Sequence, residues 1–170
     1  MKIVNVHQRL LHASPDRVAA LIASLGSPND QLWPRTGFPR MVLDRPLAVG
    51  AKGGHGPIRY MVEACEPGFA KFRFTSANGW HAFEVLEGTA HHCVLEHRME
   101  LNVSGLALLR WLLVIRPLHD ACVEELLSQA QASLGEKPRA IARSAYVSLL
   151  LRGFSRASNQ RAHGGDHHAA

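Results

Sequence analysis

Three histidines, His81, His97 and His119, occupy positions where the surrounding pattern predicts burial. Histidine is the side chain whose ordinary pKa lies closest to neutral pH, and its ring nitrogens can carry protons or bind metal. Burying an imidazole without a hydrogen-bond partner costs roughly 2 kcal/mol or more. We therefore expect these rings to bond to one another or to line a polar cavity.

Two of the histidines lie on a predicted β-hairpin. Strands are predicted at Trp80–Glu87 and His91–Val103, joined by a loop at Gly88-Thr89-Ala90. This register places His81 opposite His97. Their common face is the more apolar one and therefore the predicted inner face. It also carries Phe83, Val85, Cys93, Leu95, Met99, Leu101 and Val103.

The third histidine belongs to a long apolar segment with helical periodicity, Gly105 to Leu134, which the first hundred residues would enclose. His119 falls within its apolar stripe, whereas Asp120 and Glu124 are predicted to lie away from it. Pro117 should kink or split this helix, because it removes one backbone hydrogen bond. The stripe consists of Leu108, Leu112, Ile115, Cys122, Val123, Leu126 and Ala130.

Convergence of the three imidazoles leaves several kinds of chemistry open. They could hold zinc with an open coordination position, relay protons to a bound carbonyl compound, or bond to a ligand, to Tyr60 or to water. The catalytic candidates are His97 or His119 as base and His81 as the orienting group. No metal or cofactor is predicted. The candidate ligand-binding residues are His81, Phe83, Leu95, His97, Met99, Leu112, Ile115, His119, Cys122, Tyr60 and Trp33.

Other motifs with a known chemistry are missing from the 170 residues. The glycine cluster at Gly50–Gly56 lacks phosphate-loop spacing and is predicted to be a mobile turn. No G-x-S-x-G motif is present. Cys65, Cys93 and Cys122 are odd in number and widely spaced, which favours buried free thiols over disulfides or a zinc knuckle.

The rest of the chain is predicted to form strands, with helices at two places. A first strand, Lys2 to His12, precedes a helix that Ser14-Pro15-Asp16 begins and Gly26 ends. A second short helix is predicted from Ser27 to just before Trp33-Pro34. The remaining predicted strands are Met41–Leu43, Ile58–Cys65 and Phe69–Thr75.

Positive charge is concentrated at the carboxyl end. Residues 136–170 hold six basic and two acidic residues, so +4 of the net charge of +5 lies there. The nearly neutral body argues against nucleic-acid binding. A basic amphipathic helix is predicted at Arg139–Phe154, and it would pack on its own domain, bind an anionic membrane surface or dock a protein partner.

Segment composition predicts a body at residues 1–135, the basic helix within 136–154 and a flexible tail at 155–170. Histidines 163, 167 and 168 of that tail could bind metal loosely, although a solvated tail is favoured. No run of eighteen apolar residues and no signal-peptide pattern occurs, which predicts a cytoplasmic protein.

The order of these elements resembles that of the START-related helix-grip superfamily, which includes polyketide cyclase/dehydrases and lipid-transfer domains. The residues that carry the resemblance are the Val4-to-His12 strand entering Ser14-Pro15-Asp16-Arg17-Val18, Trp33-Pro34, the strands from Met41 to Val103 and the closing helix Leu112 to Leu134. The resemblance covers residues 1–135. It implies an α+β fold in which a curved antiparallel β-sheet wraps around a long C-terminal helix, with two short helices after the first strand.

This resemblance also implies a cavity between sheet and helix for a hydrophobic or amphipathic small molecule such as a lipid, quinone or polyketide. It assigns no catalytic residue, since family functions range from carriers to cyclases. Three hypotheses follow: a binding module, a cyclase or dehydratase that uses the pocket histidines, and an interaction module that uses residues 139–154.

Overall fold

The computed structural model describes residues 1–35 and 37–153 of the chain. Within these residues, seven strands form one antiparallel sheet in the order β1-β7-β6-β5-β4-β3-β2. The predicted flexible tail lies outside the described residues. The strands are β1 (Lys2–Leu11), β2 (Val42–Leu43), β3 (Lys52–His55), β4 (Ile58–Glu66), β5 (Phe69–Phe74), β6 (Gly79–Leu86) and β7 (Cys93–Asn102).

The long helix is continuous over 29 residues and has three parts: α2 (Gly105–Arg110), a π-helical turn (Trp111–Ile115) and α3 (Arg116–Ser133). It ends as predicted next to Gly135, whose φ is +83°. The Gly135 and Glu136 N–H groups donate to the carbonyls of Ala132 (3.1 Å) and Gln131 (2.9 Å). These bonds form a Schellman motif, in which glycine accommodates the left-handed backbone.

Pro117 is accommodated by the π-helical turn directly before it. Because proline has no N–H, the carbonyl of Leu113 loses its usual helical partner. That carbonyl accepts a hydrogen bond from the Tyr146 hydroxyl instead. The wider turn places Trp111 inside and leaves Leu112 43% exposed. The predicted inward stripe is therefore wrong at Leu112.

Among the described residues between β1 and β2, the one helix is α1 (Pro15–Ala23). The segment that was predicted to form a second short helix consists of turns and bends at residues 27–33. Asp30 explains the difference, because its carboxylate accepts hydrogen bonds from the backbone N–H groups of Gly26, Leu32 and Trp33, each at 2.9 Å. Such side-chain bonds compete with helical ones.

The glycine cluster contains a strand rather than only a mobile turn, since Lys52–His55 pairs with both β2 and β4. A β-carbon on Gly53 would lie 2.0 Å from the Val42 carbonyl oxygen, and one on Gly54 would lie 1.9 Å from the Ile58 carbonyl oxygen. The close approach of the backbones therefore requires glycine at both positions. A strand made of such residues lacks the alternating pattern by which strands are predicted.

The hairpin of β6 and β7 has a register two residues away from the predicted one, so that Phe83, not His81, pairs with His97. The loop is longer than predicted, and the Thr89 N–H donates to the His92 carbonyl oxygen at 2.7 Å within it. Side-chain direction alternates with a period of two, so a shift of two residues leaves the same residues on the inner face. His81 and His97 are both buried, at 4% and 2% exposure.

The basic C-terminal helix, α4, begins at residue 145 in the structure, six residues later than predicted, and is described to residue 153. The preceding segment bonds to α3 instead of forming a helix. The Arg139 carbonyl accepts from the Ser128 hydroxyl (2.8 Å), and Arg143 forms a salt bridge with Glu125. The Ser144 hydroxyl accepts from the Val147 N–H (3.1 Å), which favours the helix start at this point.

The core lies between the inner face of the sheet and the helices, in two apolar clusters. The larger includes Leu11, α1, the inner residues of β4 and β5, and α3 from Cys122 to Ala130. The smaller consists of Ile3, Met99, Leu101 and Trp111, with Phe74, Val103, Leu108 and Ile115 packed against it. Among the described residues, no helix combines the length and apolar character needed to cross a bilayer.

Candidate functional site

His81, His97 and His119 form a histidine layer where the two apolar clusters meet. β6 and β7 position the first two, and α3 contributes His119 just after the π-helical turn. His97 Nε2 lies 3.3 Å from His81 Nδ1, and the centroids of the His97 and His119 rings are 5.1 Å apart. The three imidazoles therefore converge as the sequence pattern indicated.

Aromatic rings enclose this layer. His81 stacks on Phe72 and Phe74, with centroid distances of 4.9 and 5.2 Å. The ring centroids of Phe83 and His97 are 4.8 Å apart, and those of Trp111 and His119 are 6.0 Å apart. These rings pack in the region where a cavity was predicted. A ligand would have to displace part of them.

Three nitrogens of the histidine layer are buried without a hydrogen-bond partner among the described residues. They are His81 Nε2, His97 Nδ1 and His119 Nδ1. Buried polar groups are nearly always paired, because each unpaired one costs about 1 to 3 kcal/mol. The layer therefore has hydrogen-bonding capacity that the described residues do not use.

Burial keeps the layer uncharged near neutral pH. It lowers the pKa of His81 and of His97 well below the ordinary value, and neighbouring histidines lower both further. Burial also lowers the pKa of His119, against an opposing effect of Asp120. Neutral imidazoles present one N–H donor and one acceptor nitrogen each, so the layer can both donate and accept hydrogen bonds.

The polar site continues toward β3 through Tyr60 and His55. The Tyr60 hydroxyl lies 3.3 Å from His55 Nδ1. The ring centroids of Tyr60 and His81 are 5.1 Å apart. The Trp33 ring packs against His55, with 4.7 Å between the ring centroids. Its ring N–H donates a hydrogen bond to the Pro39 carbonyl. Burial lowers the pKa of His55 to about 4 and raises the pKa of Tyr60. Both side chains are therefore uncharged at neutral pH.

On the opposite side of the layer lies a polar group that sequence reasoning missed, His7 with Asp120 and Glu124. His7 Nε2 is 3.2 Å from Asp120 Oδ1, and His7 Nδ1 is 2.8 Å from Glu124 Oε1. The two carboxylates raise the pKa of His7 against its burial. Burial alone would raise the pKa of Asp120, but contacts with His119, His7 and Asn5 lower it overall.

The orientation of β1 explains why this group was missed. Val4, Val6 and Leu10 point outward and are exposed, whereas Asn5, His7 and Arg9 face α3. The sequence analysis assigned no inner face to the first strand, and the helical period placed Asp120 and Glu124 away from the apolar stripe. The sequence did contain a usable signal: the apolar residues Ile3 and Leu11 alternate in step with His7 along the strand. Both are buried in the structure, on the same face as His7.

Most of the other candidate ligand-binding residues lie inside. Tyr60, Phe83 and Leu95 belong to the larger cluster together with Trp33 and Cys122. Met99 belongs to the smaller cluster, and Ile115 packs against it. Leu112 lies outside, as described above. Their role in binding stays a prediction.

A metal held by the three layer histidines has no support in the geometry. Among the described residues, the group whose ligand atoms all lie within 4.8 Å of one another is His7, His119 and Asp120. His81 and His97 use a nitrogen each to contact one another. The three free cysteines, Cys65, Cys93 and Cys122, do not belong to that group.

Several solved structures share this architecture. A norcoclaurine synthase from Thalictrum flavum, solved with dopamine and hydroxybenzaldehyde, is 15% identical, with a TM-score of 0.58 over 82% of this chain and 90% of that one. A Thermobifida fusca protein solved by NMR is 12% identical, with a TM-score of 0.61 over 81% and 99% of the two chains. CalU16 from Micromonospora echinospora is 12% identical, with a TM-score of 0.54 over 92% and 86%.

At these identities the similarity shows the fold alone, and that fold is the helix-grip fold. The α+β architecture expected from the order of the elements is thereby confirmed. Comparisons with protein families and with curated sequences found no match.

Proposed function

We propose that this protein binds a hydrophobic small molecule that carries a polar group, with the polar group on the histidine layer and the apolar body among the surrounding aromatic rings. The observation that carries the proposal is the pair of unpaired buried nitrogens, His81 Nε2 and His97 Nδ1. A hydroxyl or carbonyl group on the ligand would supply the missing hydrogen bonds. Desolvated partners of this kind give specificity to otherwise apolar sites.

The aromatic content of the enclosure favours a ring-containing ligand. Phe72 and Phe74 stack on His81 at interplanar angles of 21° and 17°, so flat rings already pack in this space. An aromatic ligand would replace one ring contact by another of similar energy. The norcoclaurine synthase with the same fold was solved with two aromatic compounds, dopamine and hydroxybenzaldehyde, which supports this ligand class.

The smaller cluster provides the route of entry. α2 has no buried residue, and Leu106 on it is 85% exposed. Trp111 is the buried anchor that joins this part of the helix to the sheet. Gly105 has a φ of +55° and nothing within 4 Å of an added β-carbon, so little packing opposes a movement of α2 about this point. We expect the ligand to enter by displacement of α2 and Trp111.

Binding can be tested with 1-naphthol, menadione and palmitate by isothermal titration calorimetry and thermal shift. Native mass spectrometry of protein purified without detergent tests for a copurifying ligand. The expected result is micromolar affinity for at least one ring compound. The proposal is wrong if none of the three binds and no ligand copurifies.

A matched pair of ligands tests the hydrogen bond itself. One hydrogen bond to the layer corresponds to about 1 kcal/mol, so 1-naphthol should bind about 5- to 10-fold more tightly than naphthalene. The double variant His81→Phe/His97→Leu should bind the two compounds equally. Leu21→Met, a buried apolar exchange on α1 outside the candidate binding residues, serves as the control and should keep the preference. Equal binding of both ligands to the wild type would contradict the assigned role of the layer.

The catalytic alternative, with His97 or His119 as base and His81 as the orienting group, stays a prediction. The same holds for the cytoplasmic location.

We also propose a second function, attachment to an anionic membrane surface. It is supported by the exposed leucines Leu106, Leu109 and Leu113 on the long helix and Leu149 on α4. The Tyr146 hydroxyl bonds to the Leu113 carbonyl, so α4 adjoins the same part of the long helix. Exposed arginines accompany these leucines, namely Arg110, Arg116 and Arg152. Basic and apolar side chains on neighbouring helices are typical of interfacial binding.

Cosedimentation with vesicles of phosphatidylglycerol and phosphatidylcholine tests this second function. We expect binding to anionic vesicles that falls with added salt and with Leu106→Ser/Leu109→Ser. Val4→Ser/Val6→Ser on the outer face of β1 is the matched control, because it removes two exposed apolar residues elsewhere on the surface. Absence of binding, or equal loss in both variants, would contradict the assignment.

A further inference from the structure

We propose that His7, His119 and Asp120 form a binding site for a first-row divalent metal ion, with zinc as the best-fitting ion. The site lies where β1 crosses α3, next to the histidine layer. It goes beyond the small-molecule binding proposed above and does not depend on it. Of the three residues, the sequence pattern suggested only His119 as a possible metal ligand, and then together with His81 and His97 rather than with His7 and Asp120.

The spacing of the donor atoms fits a metal ion. His7 Nε2 is 3.2 Å and His119 Nδ1 is 3.6 Å from Asp120 Oδ1, and all three atoms lie within 4.8 Å of one another. Ligands about 2.0 to 2.1 Å from a tetrahedral zinc ion are about 3.3 Å from each other. Only small side-chain adjustments are therefore needed for the three atoms to coordinate one ion.

Each donor is available for this role. His119 Nδ1 is buried, and its contact with Asp120 Oδ1, at 3.6 Å, is longer than a hydrogen bond. His7 bonds to Glu124 through Nδ1, which leaves Nε2 directed at Asp120. Asp120 has one oxygen toward the histidines and the other 3.5 Å from the Arg116 guanidinium. Two imidazoles and one carboxylate suit zinc and similar ions rather than magnesium or calcium, which prefer oxygen ligands.

The surrounding residues match the outer shell of known metal sites. Histidine ligands of a metal usually donate their second ring N–H to a carboxylate, which fixes the ring. Glu124 Oε1 lies 2.8 Å from His7 Nδ1, and Arg9 holds the other Glu124 oxygen at 2.7 Å. Asn5 donates to Asp120 Oδ1 at 2.8 Å. Glu124, His7 and the proposed metal position are thus arranged like the carboxylate, histidine and metal of known sites.

The pattern of β1 supports a functional reason for these residues. Its inward positions hold Asn5, His7 and Arg9, while Val4 and Val6 are exposed on the outer face. A strand selected for stability alone would place the apolar residues inward. Local violations of this rule are characteristic of functional sites.

Calorimetric titration of the chelator-treated full chain with zinc chloride tests the site. Histidines 163, 167 and 168 are first replaced by glutamine, so that the tail does not contribute. We expect one equivalent of zinc to bind and to raise the unfolding temperature. Cobalt(II) as a spectroscopic probe should give visible absorption bands of a tetrahedral or five-coordinate site.

Variants separate this site from adventitious binding. His7→Gln and Asp120→Asn should abolish the stoichiometric site, and Glu124→Gln should weaken it about 10- to 100-fold. His12→Gln, at an exposed histidine directly after β1, is the control and should bind zinc like the parent. Circular dichroism checks that each variant is folded.

The proposal is overturned if the tail-substituted chain binds no zinc, or if folded His7→Gln and Asp120→Asn bind zinc as tightly as the parent. Neither result would affect the small-molecule proposal, which is measured with 1-naphthol and naphthalene. Loss of naphthol binding with retained zinc binding would likewise contradict only that other proposal.

Discussion

Replacement of both His81 and His97 by apolar residues should make the protein more stable. His81 is stacked between two phenylalanines, so phenylalanine fits its place, and leucine fills the space of His97. The exchange removes two buried nitrogens without partners, His81 Nε2 and His97 Nδ1. It also removes the contact of 3.3 Å between the two rings.

The expected size follows from these terms. Two unpaired nitrogens cost about 2 to 6 kcal/mol, while the lost hydrogen bond contributes about 0.5 to 1.5 kcal/mol. Imperfect fit of the new side chains costs less than about 1.5 kcal/mol. With the middle of each range, we expect a net gain of about 2 kcal/mol in the free energy of unfolding. For a chain of this size each kcal/mol raises the unfolding temperature by about 2 to 4 °C.

The single variants should behave differently from the double variant. His97→Leu alone removes one unpaired nitrogen but leaves His81 Nδ1 without its partner, so we expect little or no gain. Urea unfolding of the wild type, both single variants and the double variant at pH 7 gives the coupling free energy between the two sites. Met99→Leu is the control for apolar repacking and should change the free energy of unfolding by less than about 1.5 kcal/mol.

A double variant that is less stable than the wild type would refute the reasoning. It would mean that the two nitrogens are satisfied in solution, for instance by bound water, and that the layer contributes to stability. Additive effects of the single variants would likewise contradict the proposed coupling. Higher stability combined with lost 1-naphthol selectivity would indicate a site maintained for function at the expense of stability.

Three further predictions concern other parts of the chain. The folded pKa of His55 is about 4, below its unfolded value, so stability should fall as the pH decreases from about 6.5 toward 4. His55 alone should account for at most about 3 kcal/mol of this loss, and His55→Phe should remove that part in urea unfolding. Tyr146→Phe should release α4 from the Leu113 carbonyl, which should make hydrogen exchange faster over residues 145–153. The free energy of unfolding should fall by less than about 1 kcal/mol, since water can reach that carbonyl. Gly53→Ala should destabilise the protein by about 1 to 3 kcal/mol in thermal unfolding, because its β-carbon would overlap the Val42 carbonyl.

Each of these predictions has its own control. His12→Phe, at a histidine whose side chain is 73% exposed, should leave the acid sensitivity unchanged. Unaltered exchange in Tyr146→Phe would mean that other contacts hold α4. Gly153→Ala, with nothing within 4 Å of the added β-carbon, should be neutral or stabilising. Equal destabilisation by the two glycine variants would contradict the steric argument.

The sequence was sufficient wherever a local rule applied. Glycine at 135 marked the end of the long helix, because a left-handed residue stops a helix. Strand alternation placed His81 and His97 on the inner face even though the predicted register was wrong by two residues. The helical period brought His119 to the same depth, so the histidine layer could be predicted before its distances were known.

Elsewhere, predictions from local sequence patterns were wrong because side-chain hydrogen bonds or glycine contacts determined the structure. Asp30 replaced a predicted helix by turns, because its carboxylate competes for backbone N–H groups. β3 escaped prediction because Gly53 and Gly54 have no side chains to show alternation. Leu112 was assigned inward because an ideal helical period cannot anticipate a π-helical turn.

The sequence by itself determined the helix-grip order of elements and the inward direction of two strand histidines, since both depend on periodicities of two and 3.6 residues. Only the tertiary structure placed His7 of β1 beside Asp120 of α3, more than a hundred residues away along the chain. It also decided that aromatic rings fill the space around the histidine layer. Contacts between distant elements depend on how the sheet closes over the helix, and no local pattern records that geometry.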